Sequence, residues 1–297
     1  MTQIQLNRGS HISEEFSIPE ALSRPRPKRY VETPYQKLLG KGSRFLARNF
    51  ATKKLPMRNT RPMVSFTFDD VPVSACAIGT RILEQNGARG TFYIAGAGCG
   101  KTGSVGLLAS IEQLRAIWLR GHEIGCQTYL HSAVSRLSRS ELETEFLRNQ
   151  SALRIIDDKI AVRNFAYPYG DLSFNARRYL ETQFDSCRSV DHGINHRSAD
   201  LGSLKSWPLE NASVDRKKIA ALIADTIRCN GWLIFVGHDV GEQPSRFGIV
   251  PDLLEWAVVT AKHSGCVLLP VAEGLKIAGG APADNNHPCA ANPNRAQ

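Results

Sequence analysis
No Cys-x-x-Cys pair occurs among the seven cysteines, which stand apart at positions 76, 99, 126, 187, 229, 266 and 289. That scatter argues against a disulfide framework and suits buried or free thiols in a reducing compartment. The opening residues, MTQIQLNRGSHISEEF, lack the apolar run of a secretory signal, and no stretch approaches the roughly 18 apolar residues that span a bilayer. A soluble chain with a cytoplasmic address is expected. Asp is missing from the first 63 residues, which hold thirteen Lys and Arg against four Glu, while the remaining 24 basic and 24 acidic residues cancel. The net charge of +9 and the pI near 9.3 therefore belong to an N-terminal arm. This argues against a nucleic-acid groove on the body and leaves the arm as a solvated tail, a wrap, or a peripheral contact to an anionic surface.

What is present is an ordinary globular composition, 42% hydrophobic and 22% charged over 297 residues. The spacing of elements predicts three segments: a basic extension over 1–60, a folded domain over 61–276 and a small, polar tail over 277–297. Inside the domain, MVSFTF, TFYIA, HEIGCQ, NFAY, WLIFVG and CVLLPV read as buried strands, with DSCRSV and LKSWPL as weaker ones. Helix starts lie between them, at Ser110 with Gln113 and at Ser138 with Glu141, where reciprocal side-chain bonds satisfy first-turn N–H groups. Seven or eight β-then-α units predict a distorted (β/α) barrel with an extra N-terminal arm. A doubly wound open sheet is the alternative.

Residues 95–102, AGAGCGKT, imitate a phosphate-binding loop. The chemistry requires the Lys-Thr pair to open a helix, so that free N–H groups hold the phosphates. Here Gly103-Ser104-Val105-Gly106 follows Lys101-Thr102, and the next helix start is Ser110, so no nucleotide site is expected.

The stronger signal is a series of polar groups at strand ends. Asp69 and Asp70 follow SFTF, Gln127 to His131 follow the third strand, Tyr167-Pro168-Tyr169-Gly170 follow the fourth, and His238-Asp239 follow WLIFVG. Adjacent carboxylates where a strand loosens can converge on one centre, one binding a cation and the other acting as a base; alone they would read as a helix-capping pair.

This ordered set, over about residues 60–275, resembles the polysaccharide deacetylase family, carbohydrate esterase family four, which includes chitooligosaccharide deacetylases of nodulation-factor synthesis. The resemblance implies Asp69 as general base and Asp70 as ligand of a divalent metal, Zn²⁺ foremost with Co²⁺, Mn²⁺ or Ni²⁺ as alternatives. The family's H-[ST]-x-x-H motif reads Gln127-Thr128-Tyr129-Leu130-His131, so His131 carries over as a ligand while Gln127 stands where the first histidine belongs. An amide oxygen is a poorer partner for Zn²⁺ than imidazole. Two readings follow: a site of Asp70, His131 and either Gln127 or water, or a family fold that has lost catalysis.

The resemblance further implies Pro168 and Tyr169 at the substrate, with the Tyr169 N–H holding the oxyanion, and His238 as general acid, with Asp239 as a neighbour able to keep it protonated. Trp207 is expected either at the acetyl group or in the core. The family's R-P-P-Y-G reads Ala166-Tyr167-Pro168-Tyr169-Gly170, so the arginine that would pair with the base is missing there. His192 and His196, flanking Gly193-Ile194-Asn195, are candidates to replace a missing ligand. The implied activity is hydrolysis of an N-acetyl amide on an amino-sugar oligosaccharide or glycan, the alternative being a glycan-binding protein of the same fold.

Overall fold
A computed structural model describes residues 42–48 and 50–281; most of the basic extension and of the C-terminal tail lies outside these residues. A short helix, α1, covers 42–48. Strand β1 (Lys54–Pro56) follows, then β2 (Met63–Asp69), α2 (Thr80–Gln85), β3 (Thr91–Ile94), the hairpin β4 (Thr102–Gly103) and β5 (Gly106–Leu107), and α3 (Ile111–Leu119). Next come β6 (Glu123–Cys126), α4 (Arg139–Ile156), β7 (Asn164–Ala166), α5 (Phe174–Gln183), β8 (Ser186–His192), β9 (Ser198–Asp200) and β10 (Leu204–Pro208). The order ends with α6 (Arg216–Arg228), β11 (Trp232–Gly237), α7 (Pro251–His263), β12 (Val267–Leu268) and α8 (Val271–Ala278).

Seven parallel strands close on themselves in the order β2, β3, β6, β7, β8, β10, β11, with β11 returning to pair along β2 from Met63 to Phe68. This is the distorted barrel expected, and the open sheet is excluded by the β11–β2 pairing. The run CVLLPV yields only the two-residue β12, which pairs with Met63 and Val64 at the lower end of β2. Pro270 then caps α8, so Val271 opens a helix where the apolar pattern predicts strand.

Every residue of β2 and β11 is buried. Their alternate side chains divide between two cores. Val64, Phe66 and Phe68 join Phe92, Ile124, Phe165 and Phe235 in the outer layer beneath the helices. Met63, Leu204, Trp232 and Ile234 fill the lower barrel interior with Leu269 and Val271. That end is sealed by the start of α8, where Val271 N–H donates to Thr91 Oγ1 and Ala272 N–H to Glu123 Oε2, both at 2.9 Å. Burial raises the Glu123 carboxyl above its ordinary range.

The helix starts at Ser110 and Ser138 both carry complete capping boxes. Lys101-Thr102 opens the β4–β5 hairpin instead of a helix, so the glycine-rich stretch lacks the phosphate-holding geometry. Residues 42–48 and 50–56 of the expected extension attach to the body: β1 pairs antiparallel with β9, and the Phe174 N–H donates to Ser43 Oγ at 2.9 Å.

Candidate active site
Along β2 the side chains of Ser65, Thr67 and Asp69 share the inner face with Met63, so the period of two delivers a buried carboxylate to the upper end of the barrel. The chain then breaks sharply. Asp70 and Val71 both adopt left-handed backbone, φ 56° and 48°, and the Val71 N–H turns back onto the Asp69 carbonyl at 2.6 Å. Thr128 (φ 58°), His131 (φ 55°) and Tyr169 (φ 59°) are left-handed as well. These five sit on the loops after β2, β6 and β7, each costing on the order of 1–3 kcal/mol, and such strain gathers where side-chain aim matters more than backbone comfort.

The two carboxylates part in role. Asp69 is buried, and the guanidinium Nη2 of Arg188 donates to its Oδ1 at 2.6 Å and its Oδ2 at 2.5 Å. Arg188 is fully buried on β8, with its guanidinium 5.1 Å from the Tyr93 ring centroid. Gly125 makes room for that ring, since a Cβ there would lie 2.5 Å from it. The arginine missing from the third motif is thus present from a different strand. Asp70 points instead to His131, with Oδ1 and Nε2 3.1 Å apart. Burial raises the Asp70 carboxyl, against the opposing pull of His131 and His238.

Gln127 is buried, and its Oε1 accepts the backbone N–H of Asp70 at 3.1 Å. Its oxygen therefore serves the strained turn at Asp70, beside the carboxylate with which it was expected to share a cation. The His131 loop is propped from α4: Leu130 N–H donates to Glu145 Oε2 at 2.8 Å, and Arg148 lies over the Tyr129 ring at 4.2 Å. Within the loop, Ser132 N–H donates to Thr128 Oγ1 at 2.8 Å.

The third motif is fixed by Tyr167, whose hydroxyl donates to the Gly202 carbonyl at 3.0 Å, and by buried Pro168. Gly170 is required twice over: its φ is +62°, and a Cβ would lie 2.2 Å from Val190 Cγ2. Tyr169 packs its ring against His131, centroids 4.5 Å apart, while its N–H donates to no other described residue.

His238 follows Gly237, which is in register with Phe68 beside Asp69. Its Nδ1 is buried and has no hydrogen-bond partner among the described residues. Asp239 does not hold it, contrary to expectation, because its carboxylate takes the Ser245 N–H at 2.7 Å and hydroxyl at 2.6 Å. Trp207 lies on the outer side of β10, packed against the helix-layer core, and its ring meets His192 at 4.3 Å and the Lys218 ammonium at 4.3 Å. This placement follows the core alternative for Trp207. It also occupies His192, and among the described residues no three of His, Cys, Asp or Glu are grouped to hold a metal, so neither His192 nor His196 completes one.

Residues 57–183 match the polysaccharide deacetylase family model. A chitin deacetylase from Colletotrichum lindemuthianum is 26% identical over 212 residues, spanning 63% of this chain and 84% of its own. A solved chitin deacetylase structure from the same fungus aligns with a TM-score of 0.52 at 22% identity, over 77% of this chain and 92% of that one. A pseudoenzyme of carbohydrate esterase family four from Bacillus anthracis aligns with a TM-score of 0.51 at 16% identity, over 73% and 66% of the two chains. At these identities the two structural likenesses speak for the fold alone.

Proposed function
We propose, from the match of residues 57–183 to the polysaccharide deacetylase model and the likeness to a chitin deacetylase, that the chain is a member of that family and hydrolyses the N-acetyl amide of an amino sugar in an oligosaccharide or glycan. Acetate leaves and a free amine remains. The observation that carries this reading is the convergence, at one end of the barrel, of an Arg188-bound Asp69 with an Asp70–His131 pair 3.1 Å apart.

Deacetylases of this kind are generally metal-dependent, and the donors here fit a divalent cation with two protein ligands. Asp70 Oδ1 and His131 Nε2 would hold it, with water filling the remaining positions and Gln127 steadying Asp70 from behind. When bound, such an ion supplies a Lewis acid for the amide carbonyl. Zn²⁺ suits one imidazole and one carboxylate; Co²⁺, Mn²⁺ and Ni²⁺ are the alternatives to test.

The chain's own residues supply the rest. Asp69, aimed by its two bonds from the buried Arg188 guanidinium, takes a proton from the attacking water. The Tyr169 N–H, which has no other acceptor among the described residues, donates to the oxyanion, and the strained loop holds it rigid. His238 gives a proton to the leaving nitrogen. The roles of Asp69, Asp70, His131, Pro168, Tyr169 and His238 are proposals of this reading.

The test is acetate release from N-acetylglucosamine oligomers by chelator-treated protein resupplied with each metal, with Gln127→His and Asp69→Asn assayed beside it. Metal-dependent release that Asp69→Asn abolishes supports the hydrolase. The displaced third donor at Gln127 favours a second reading, glycan binding without turnover. Oligomer binding with no acetate from the unaltered protein under any metal would select it.

A further inference from the structure
Two loops at the catalytic end of the barrel contain no acidic residue, 95–110 after β3 and 127–138 after β6. Each carries one exposed cation, Lys101 in the first and Arg136 in the second. Arg136 is set beside the site, because the N–H of Ser135 before it donates to Asp171 Oδ2 at 2.8 Å, just past the Tyr169-Gly170 turn. Burial and the charge of Asp70 raise the Tyr169 phenol, and the nearby charge of Arg136 opposes them. Across the mouth, in the loop after β11, exposed Arg246 lays its guanidinium 4.3 Å from the Phe247 ring centroid, and that ring lies 5.4 Å from His238.

The side chains of Lys101, Arg136 and Arg246 make no hydrogen bond or ion pair with any other described residue. The acids of this end are mostly engaged. Asp171 takes the Ser135 N–H, Asp191 pairs with Arg48, Glu210 takes the Ser213 hydroxyl, Asp239 holds Ser245 and Asp215 caps α6. Glu242 is exposed and has no hydrogen bond or ion pair among the described residues, so outside Asp69 and Asp70 the uncommitted charge at the mouth is mainly positive. In the closed strand order, β11 is separated from β6 by β2 and β3 one way and by β7, β8 and β10 the other. Arg136 and Arg246 therefore flank the mouth from opposite sides. A single small anion meets one of them; a chain lying across the mouth meets both.

We infer that the glycan crossing this mouth is acidic, with a carboxylate-bearing sugar on each side of the N-acetyl amino sugar, Arg136 meeting one and Arg246 the other. The inference rests on the amino-sugar reading of Asp69, Asp70 and His131. Guanidinium groups suit carboxylates, whose two oxygens match the planar fork, and free cations at an open mouth raise the local concentration of an acidic chain. The Phe247 ring covers one face of the Arg246 guanidinium and leaves its N–H edge open to a carboxylate. An uncharged chain would gain nothing from either group beyond what water already gives it.

Calorimetric titration of the full chain compares two hexamers, one of N-acetylglucosamine throughout and one of N-acetylglucosamine alternating with glucuronate, with acetate followed in the same samples. The acidic hexamer is expected to bind roughly tenfold more tightly in low salt, and the difference to shrink as salt is added. Arg136→Gln and Arg246→Gln each lower that ratio about threefold and together about tenfold, at an unchanged thermal midpoint, because both side chains are exposed and unpaired. Lys276→Gln, on α8 at the lower end, removes the same charge and leaves the ratio as it was. Equal affinities for the two hexamers, a ratio undiminished in the double variant, or an equal loss in Lys276→Gln overturns the inference. Acetate from both hexamers at equal affinity strikes it while leaving the hydrolase standing; an acidic preference without acetate supports it and strikes the hydrolase.

Discussion

Arg188 on β8 holds both carboxylate oxygens of Asp69 on β2, at 2.6 and 2.5 Å, across the interior of the barrel. The two residues are 119 positions apart in sequence, and both are buried. Burying a carboxylate is costly unless a cation accompanies it, and this pair fixes the aim of the proposed base.

Removing one partner separates stability from chemistry. Arg188→Met leaves an uncompensated buried carboxylate and is expected to cost about 3–5 kcal/mol of unfolding free energy. Adding Asp69→Asn to Arg188→Met returns much of that stability but no acetate release. Urea denaturation of the two single variants and the double gives the coupling energy. Additive stabilities would show that the contact does not bind the two groups together.

The Gln127 amide distinguishes support from ligation. Gln127→Ala strands the Asp70 N–H and is expected to cost about 1–3 kcal/mol of stability. It should also weaken divalent-cation binding by roughly 10–100-fold, the usual effect of losing a group that orients a ligand. Gln127→Glu keeps the acceptor and adds charge, so it should lower stability without a cation and tighten the cation by roughly tenfold. Competition against a chromophoric chelator reads both affinities.

Much of this was legible in the sequence, because the informative signals were local. The continuous apolar runs of β2 and β11 announce strands buried on both sides, and the Ser110 and Ser138 capping boxes mark helix starts within a few residues. The strand-end positions of Asp69, His131 and His238 follow from the same pattern. Arg188 was not legible: a charged residue inside SCRSV weakens the strand signal, and its partner lies on the opposite side of a closed sheet. The Asp239–Ser245 bond was equally hidden, since adjacency to His238 in sequence favours the wrong partner. The outward aim of Trp207 depends on the register of β10 against β8, which carries a bulge.

Glu145 tests whether the backbone of the His131 loop is held from behind. Its Oε2 accepts the Leu130 N–H at 2.8 Å, immediately before the left-handed His131, while its Oε1 is buried without a hydrogen-bond partner among the described residues. Glu145→Ala is expected to lower acetate release about tenfold or more, with a stability loss of about 1–3 kcal/mol. Glu145→Gln retains an acceptor and should recover most of both. Equal losses in the Ala and Gln variants would mean that the negative charge, not the hydrogen bond, is what the loop requires.

Acid sensitivity should arise away from the catalytic end, at His122. This buried imidazole accepts the Gly90 N–H on Nδ1 at 3.0 Å, so its own proton resides on Nε2, directed at Glu84 Oε1 at 2.8 Å. Burial pushes its pKa down from 6.5 to about 4, outweighing the opposing effect of Glu84. Above pH 6.5 the ring is neutral whether the chain is folded or not, and it adds no pH dependence. As the pH falls from 6.5 towards 4, only the unfolded chain gains the proton, so stability drains away by up to about 3 kcal/mol across that window. Urea unfolding at pH 7, 5.5 and 4.5 should show this decline in the unaltered protein and a shallower one in His122→Gln, which has no imidazole to protonate. Parallel curves for the two proteins would move the acid sensitivity to other groups.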